Sequence, residues 1–209
     1  DLVFSLNNAS KKTIKKIFNL SRSIYLEATS EIIKSSFLVL VLGIFFDLPT
    51  IAFIVTARTL FYFFPTRVIN IFAESIQYEY ANLYAKNKLY DLKIIHKKQI
   101  LSILLIICLF ALFSLFLGPY IYSLWLQNKF EINLILLSLI VIDTSFMIIN
   151  FNVISPLKAI NSFFQISLFQ FLANLIVLIV SIILFMKNFS FQAWFIFSPI
   201  ATLTLTFFS

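Results

Sequence analysis

Glu27, Glu31 and Lys34 stand at offsets 0, 4 and 7, so a helix carries all three on one face, with Ser30 and Ser35 beside it. All three lie in an otherwise apolar stretch, and so do Arg58 and Asp143. A charge near the centre of a bilayer costs about 2.5–3.5 kcal/mol on the insertion scale, so such residues normally face a cavity or a partner. Two chemistries fit. In one, the cations Lys34 and Arg58 neutralise an anionic ligand in a polar cavity. In the other, the charges cancel one another: Glu31 with Lys34 along one helix, Arg58 with Asp143 between helices. Asp143 is therefore an ion-pair or coupling residue. Arg67 sits nearer an interface, where its long side chain can reach water. Ser167, Gln170, Asn174 and Ser181, at offsets 0, 3, 7 and 14, make a polar stripe suited to hydrogen bonds between helices.

Other chemistries lack their residues. No Ser/His/Asp set, metal-ligand cluster or Gly-rich phosphate loop is present, so no catalytic residue, metal or cofactor is expected. Cys108 is the only cysteine, which excludes an internal disulfide, and its place in an apolar run predicts a small buried hydrophobe. His96 is the only histidine; beside Lys93, Lys97 and Lys98 it predicts a solvated side chain rather than a metal ligand.

The elements that must position these residues are long apolar segments. Six are evident: 24–46, 48–73, 100–117, 132–154, 157–186 and 191–208. Each is long enough, or nearly so, to cross the roughly 30 Å hydrocarbon core as a helix. Residues 1–23 form a basic segment leading to the first span, and 24–209 form one six-span all-α membrane bundle. Composition agrees: 61% of residues are hydrophobic and 12% charged, against about 25% charged in soluble domains.

Basic residues fix an orientation. One set of connections carries Lys11, Lys12, Lys15, Lys16, Arg22, Lys86, Lys88, Lys93, Lys97, Lys98 and Lys158; the other carries only Lys129 and Lys187. Eleven against two is a strong positive-inside bias, which predicts cytoplasmic N- and C-termini for the segment. The net charge of +7 is thereby assigned to membrane lipids with anionic headgroups, not to nucleic acid.

Local signals refine the elements. Asp47-Leu48-Pro49 predicts a tight turn with Pro49 in the first turn of the second helix. Pro65 predicts a kink near residues 61–64, Pro199 a bend in the last span, and Gly118-Pro119 the end of the third. Tyr78, Tyr80 and Tyr84 suit an interface. With only Gly43 and Gly118 as glycines, packing is expected to rely on bulky aromatic side chains, with Ser and Ala at close contacts. The chain starts at Asp1 and stops soon after its last apolar run, so it reads as a piece of a longer protein.

The stretch FDLPTIAFIVTARTLFYFFPTRVINIFAESIQYEYANLYAKNKLYDL, residues 46–92, resembles the seventh-to-eighth span region of bacterial polysaccharide flippases. These belong to the multidrug/oligosaccharidyl-lipid/polysaccharide exporter superfamily. The matching elements are the short turn into a helix bearing Ala57-Arg58-Thr59-Leu60, the exit Glu79…Leu83-Tyr84-Ala85-Lys86, and the cluster Gly118-Pro119…Leu124-Trp125-Leu126. One departure is Tyr78, where the family often has proline before the exit glutamate. The resemblance implies the C-terminal lobe of a two-lobe transporter in the bacterial inner membrane, its partner the missing N-terminal half. It also implies a cavity lined by the lobe's first two spans, with Glu27, Glu31, Lys34 and Arg58 toward it, and a polyprenyl-pyrophosphate-linked oligosaccharide as substrate, its pyrophosphate neutralised by those cations as it is flipped outward for surface polysaccharide assembly of the O-antigen kind. Three alternatives remain: a small-molecule exporter of the same superfamily, which a net negative cavity would favour; a polysaccharide polymerase or other membrane glycosyltransferase, which needs a large outer loop; and a non-transporting membrane subunit.

Overall fold

The computed structural model describes residues 11–127, 129 and 131–206. Residues 1–10 of the basic segment and 207–208 of the last expected span lie outside the described residues. Six helical rods follow one another, and no strand occurs among the described residues. Helix α1 covers 11–45 as Lys11–Ile32, a π-helical turn Ile33–Phe37, and Leu38–Phe45. Helix α2 covers 48–85 as Leu48–Arg58, a second π-helical turn Thr59–Phe63, and Phe64–Ala85. Helices α3 (Leu89–Trp125), α4 (Leu134–Ala159), α5 (Phe164–Met186) and α6 (Gln192–Thr206) complete the chain. Five of these rods are long and apolar enough to cross a membrane; α6, with 15 described residues, is shorter. The chain is a multi-pass all-α membrane bundle.

Four of the five connections between rods carry a left-handed residue just past the preceding helix; the α1–α2 turn is made instead by Phe46 and Asp47 in extended backbone. Asn87, Gln127, Asn161 and Asn188 have φ of 55°, 51°, 54° and 61°. Asparagine tolerates that region better than most side chains, which helps explain its use at three of the four. At those three the next amide reaches back five residues: Lys88 to Leu83 at 2.9 Å, Ser162 to Leu157 at 2.9 Å and Phe189 to Leu184 at 3.1 Å. Such bonds satisfy carbonyls that a helix end leaves open.

Helix α4 is central, packing against α2, α3 and α6, while α5 joins α6 to α1. Leu136, Leu137 and Ile140 of α4 are fully buried with Leu38, Leu42 and Ile54. Aromatic edges close the end near the α1–α2 turn: Phe46 meets Phe185 at 5.2 Å and Phe191 at 6.1 Å, both nearly perpendicular. Helices α1 and α2 pack against each other mainly near that turn, in the segments Leu38–Phe45 and Leu48–Arg58. Toward the opposite end, where the basic residues lie, the two rods part.

Several local expectations are corrected by tertiary contacts. Helix α3 runs through Gly118-Pro119 to Trp125. Gly118 sits against Leu137 and Phe61, and beyond it the Tyr122 hydroxyl donates to the Phe53 carbonyl at 3.0 Å, holding the next turn in place. The break expected after Ile154 comes after Ala159, because α4 continues through Pro156. The basic stretch from Lys11 is continuous with the first span. Tyr80 is fully buried: it donates to Gln99, whose amide donates to Asn152 at 2.8 Å, and it lies 3.3 Å from His96 Nδ1. His96 therefore joins a polar cluster linking α2, α3 and α4 and is not simply solvated. Cys108 is exposed on the outer side of α3, not buried.

Candidate functional site

Where α1 and α2 part, they enclose with α4 a cavity of about 650 Å³. Glu27 and Glu31 face it from α1, Arg67, Asn70, Glu74, Gln77 and Tyr78 from α2, and Phe151, Lys158 and Asn161 from α4 and its turn. All these positions lie toward the start of α1 and the ends of α2 and α4, the basic end of the bundle. A smaller recess of about 90 Å³ shares Glu31, Arg67 and Asn70 with the cavity and adds Lys34, Tyr62, Gln170 and Asn174. The two form a funnel from the basic end toward the middle of the bundle.

Lys34 is on the wall of that recess. Its ammonium donates to Asp143 Oδ1 at 2.9 Å, with both side chains almost fully buried. The Ser198 hydroxyl of α6 donates to the same oxygen at 2.8 Å. Asp143 thus ties α1, α4 and α6 together about 14 Å along α4 from Leu134. Neither Glu31 nor Arg58 forms the ion pair expected for it from sequence.

Arg58 is 2% exposed and lines neither space. Its guanidinium lies 5.3 Å from the Tyr62 ring and 5.0 Å from the Phe63 ring, and donates to the Lys34 carbonyl at 3.3 Å. The π-helical turns explain this placement. An extra residue in a turn disturbs the regular ladder and re-aims side chains. One such turn holds Lys34, and the other starts directly after Arg58.

The kink expected at Pro65 takes the form of that second π-helical turn. Pro65 has no N–H for the carbonyl of Phe61, four residues back. Thr144 of α4 supplies the missing donor, its hydroxyl 2.7 Å from Phe61 O and equally near Ile140 O. A neighbouring hydroxyl can re-satisfy a proline-freed carbonyl in this way inside a membrane.

Glu27 pairs with Lys158 across the cavity mouth, and the Lys158 ammonium lies 3.9 Å from the Phe151 ring. The stripe on α5 is buried. Asn174 donates to the Ser30 hydroxyl of α1 at 2.8 Å, Ser167 donates to the Phe163 carbonyl at 3.1 Å, and Gln170 lines the recess. The structure thus gathers Glu27, Glu31 and Lys34 along the funnel and leaves Arg58 behind its wall. It adds Asn70, Glu74 and Gln77, which the sequence reading did not single out, and Arg67 and Lys158, which it placed only at an interface and in the basic connections. Arg67, Asn70, Glu74 and Gln77 follow one another at three- or four-residue steps on α2, a helical polar stripe visible in the sequence.

Among the described residues no group of three or more His, Cys, Asp or Glu side chains could hold a metal. What the arrangement offers instead is hydrogen bonding and paired charge in a space open at one end. Fold and cavity together define a helical membrane bundle with a polar funnel entering from its basic end. No protein-family model, no curated protein and no solved structure matches the chain.

Proposed function

We propose that the chain is one lobe of a bacterial inner-membrane transporter. It would carry an oligosaccharide on a polyprenyl pyrophosphate from the inner to the outer leaflet, working with a second lobe by alternating access rather than by catalysis. The composition of the larger cavity is the observation that supports this. Amides of Asn70, Gln77 and Asn161 offer donors and acceptors for sugar hydroxyls, and Tyr78 and Phe151 offer ring faces. The resemblance at residues 46–92 points to the same substrate class.

The pyrophosphate role moves in this reading from Arg58 to Arg67. Lys34 is neutralised by Asp143, Arg58 lies outside the funnel, and a recess of about 90 Å³ is small for a pyrophosphate. Arg67 borders both spaces, is exposed, and forms no salt bridge among the described residues. Its planar fork suits phosphate oxygens. The positive-inside bias supports a funnel mouth on the cytoplasmic side, the side from which an inner-to-outer carrier would load.

One observation favours a second reading, a small-cation exporter. Glu27, Glu31 and Glu74 face the cavity against Arg67 and Lys158, and Glu27 is already paired with Lys158. Glu31 and Glu74 then outweigh Arg67. Cell-surface polysaccharide and resistance to cationic dyes, measured in one strain lacking the gene and complemented with the full-length protein, separate the two. Arg67→Ala should reduce polysaccharide export at least tenfold with normal protein level and leave dye resistance unchanged. Normal export by Arg67→Ala, with dye resistance lost in Glu31→Gln or Glu74→Gln, would establish the exporter instead.

A further inference from the structure

Helix α3 is held to the bundle along one ridge. Gln99, Ile103, Ile107, Ser114, Gly118 and Tyr122 are its buried positions, and α4 is its main neighbour. The rest of the rod faces outward. At 37 residues it is about 55 Å long, well beyond the roughly 30 Å of hydrocarbon. Its apolar run begins at Ile100. Lys97 and Lys98 therefore stand about 3–5 Å beyond the hydrocarbon edge, and Lys93 about 10 Å. The headgroup layer is about 5–8 Å thick on each side, so Lys97 and Lys98 lie within it, and Lys93 can bend its stem back to it.

These lysines share a face with the apolar surface below them. Lys93, Lys97, Leu101, Leu105 and Leu109 recur every four residues, and every one is exposed. Lys98 borders the same line, being three residues before Leu101. The only acid on this helix, Asp91, is seven residues before Lys98 and shares its face, but it stands about 13 Å beyond the hydrocarbon edge, outside the headgroup layer that Lys97 and Lys98 occupy. A phospholipid standing beside the helix would place its phosphate among three cations and its chain along Leu101, Leu105 and Leu109.

We propose that the basic end of α3 is a binding site for an anionic phospholipid, with Lys93, Lys97 and Lys98 holding the headgroup. Charge complementarity selects the class: three cations at or near headgroup depth, with no carboxylate of this helix at that depth, favour a headgroup of net negative charge over a zwitterionic one that brings its own cation. The inference uses the outer face of α3 and stands independently of the transport reading.

The test titrates phosphatidylglycerol, or phosphatidylcholine with the same chains, into the full-length protein in neutral detergent, with bound lipid counted by native mass spectrometry. Phosphatidylglycerol should bind at least tenfold tighter, and added salt should erase the difference. Each of Lys93→Gln, Lys97→Gln and Lys98→Gln should weaken it about fivefold, and all three together on the order of 100-fold. Lys129→Gln with Lys187→Gln, at the other end, should leave it unchanged. Melting of each variant in the same detergent confirms that it is folded. A triple variant that keeps the preference overturns the proposal. So does glycerol phosphate binding as tightly as the whole lipid, since the acyl chain would then have no part in the site.

Discussion

Lys34 and Asp143 are 109 residues apart in the chain and 2.9 Å apart in the bundle. Both are buried, so each supplies a partner that the other would otherwise have to find in water. The pair joins the helix that lines the funnel to the helix at the centre of the fold.

Asp143→Asn leaves the Lys34 ammonium without its counter-charge, which should cost about 3–5 kcal/mol. Lys34→Met combined with Asp143→Asn should recover most of that loss. Thermal unfolding of the two single variants and the double in detergent gives the coupling free energy. A double variant no more stable than Asp143→Asn alone would show that the two charges do not depend on each other.

Thr144→Val removes the hydroxyl that serves the Phe61 carbonyl, and should cost about 1–3 kcal/mol for leaving that group unmet in the interior. Adding Pro65→Ala restores a backbone N–H at position 65, so the same valine substitution should then cost much less. Additive losses across this cycle would mean that Thr144 acts only on Ile140 of its own helix.

Gly118→Ala and Gly43→Ala should differ in sign. A β-carbon at 118 would fall 3.0 Å from Leu137 Cδ2 and 3.2 Å from Phe61 Cε1. That overpacking should cost about 1–3 kcal/mol. At 43 the nearest atom is Ile51 Cδ1 at 4.0 Å, so alanine should stabilise the helix by up to about 1 kcal/mol. Melting temperatures of the two variants check both.

Orientation can be read by thiol labelling after Cys108→Ser removes the one native cysteine, which is exposed on α3. With the basic end cytoplasmic, Lys88→Cys should be shielded from an impermeant reagent in intact cells and Lys129→Cys should react. Lys88 follows the left-handed Asn87 and Lys129 stands two residues past the left-handed Gln127, so neither variant replaces a left-handed residue. Reversed labelling would invert the bundle and put the funnel mouth outside.

By itself the sequence determined that this is an all-α membrane bundle, because apolar length and lysine placement are properties of consecutive residues. It also marked Lys34, Arg58 and Asp143 as charges needing an explanation, since depth within an apolar run follows from counting along a helix. It could not say which cation meets Asp143. That depends on how each rod is rotated about its axis, and successive residues are about 100° apart around a helix. The π-helical turns at Ile33–Phe37 and Thr59–Phe63 change that rotation locally. Only packing against α4 and α6 decided that Lys34 takes the carboxylate while Arg58 lies against Tyr62 and Phe63. The same holds for the funnel: it exists because α1 and α2 part toward their basic ends, a separation between rods that no single run of residues encodes.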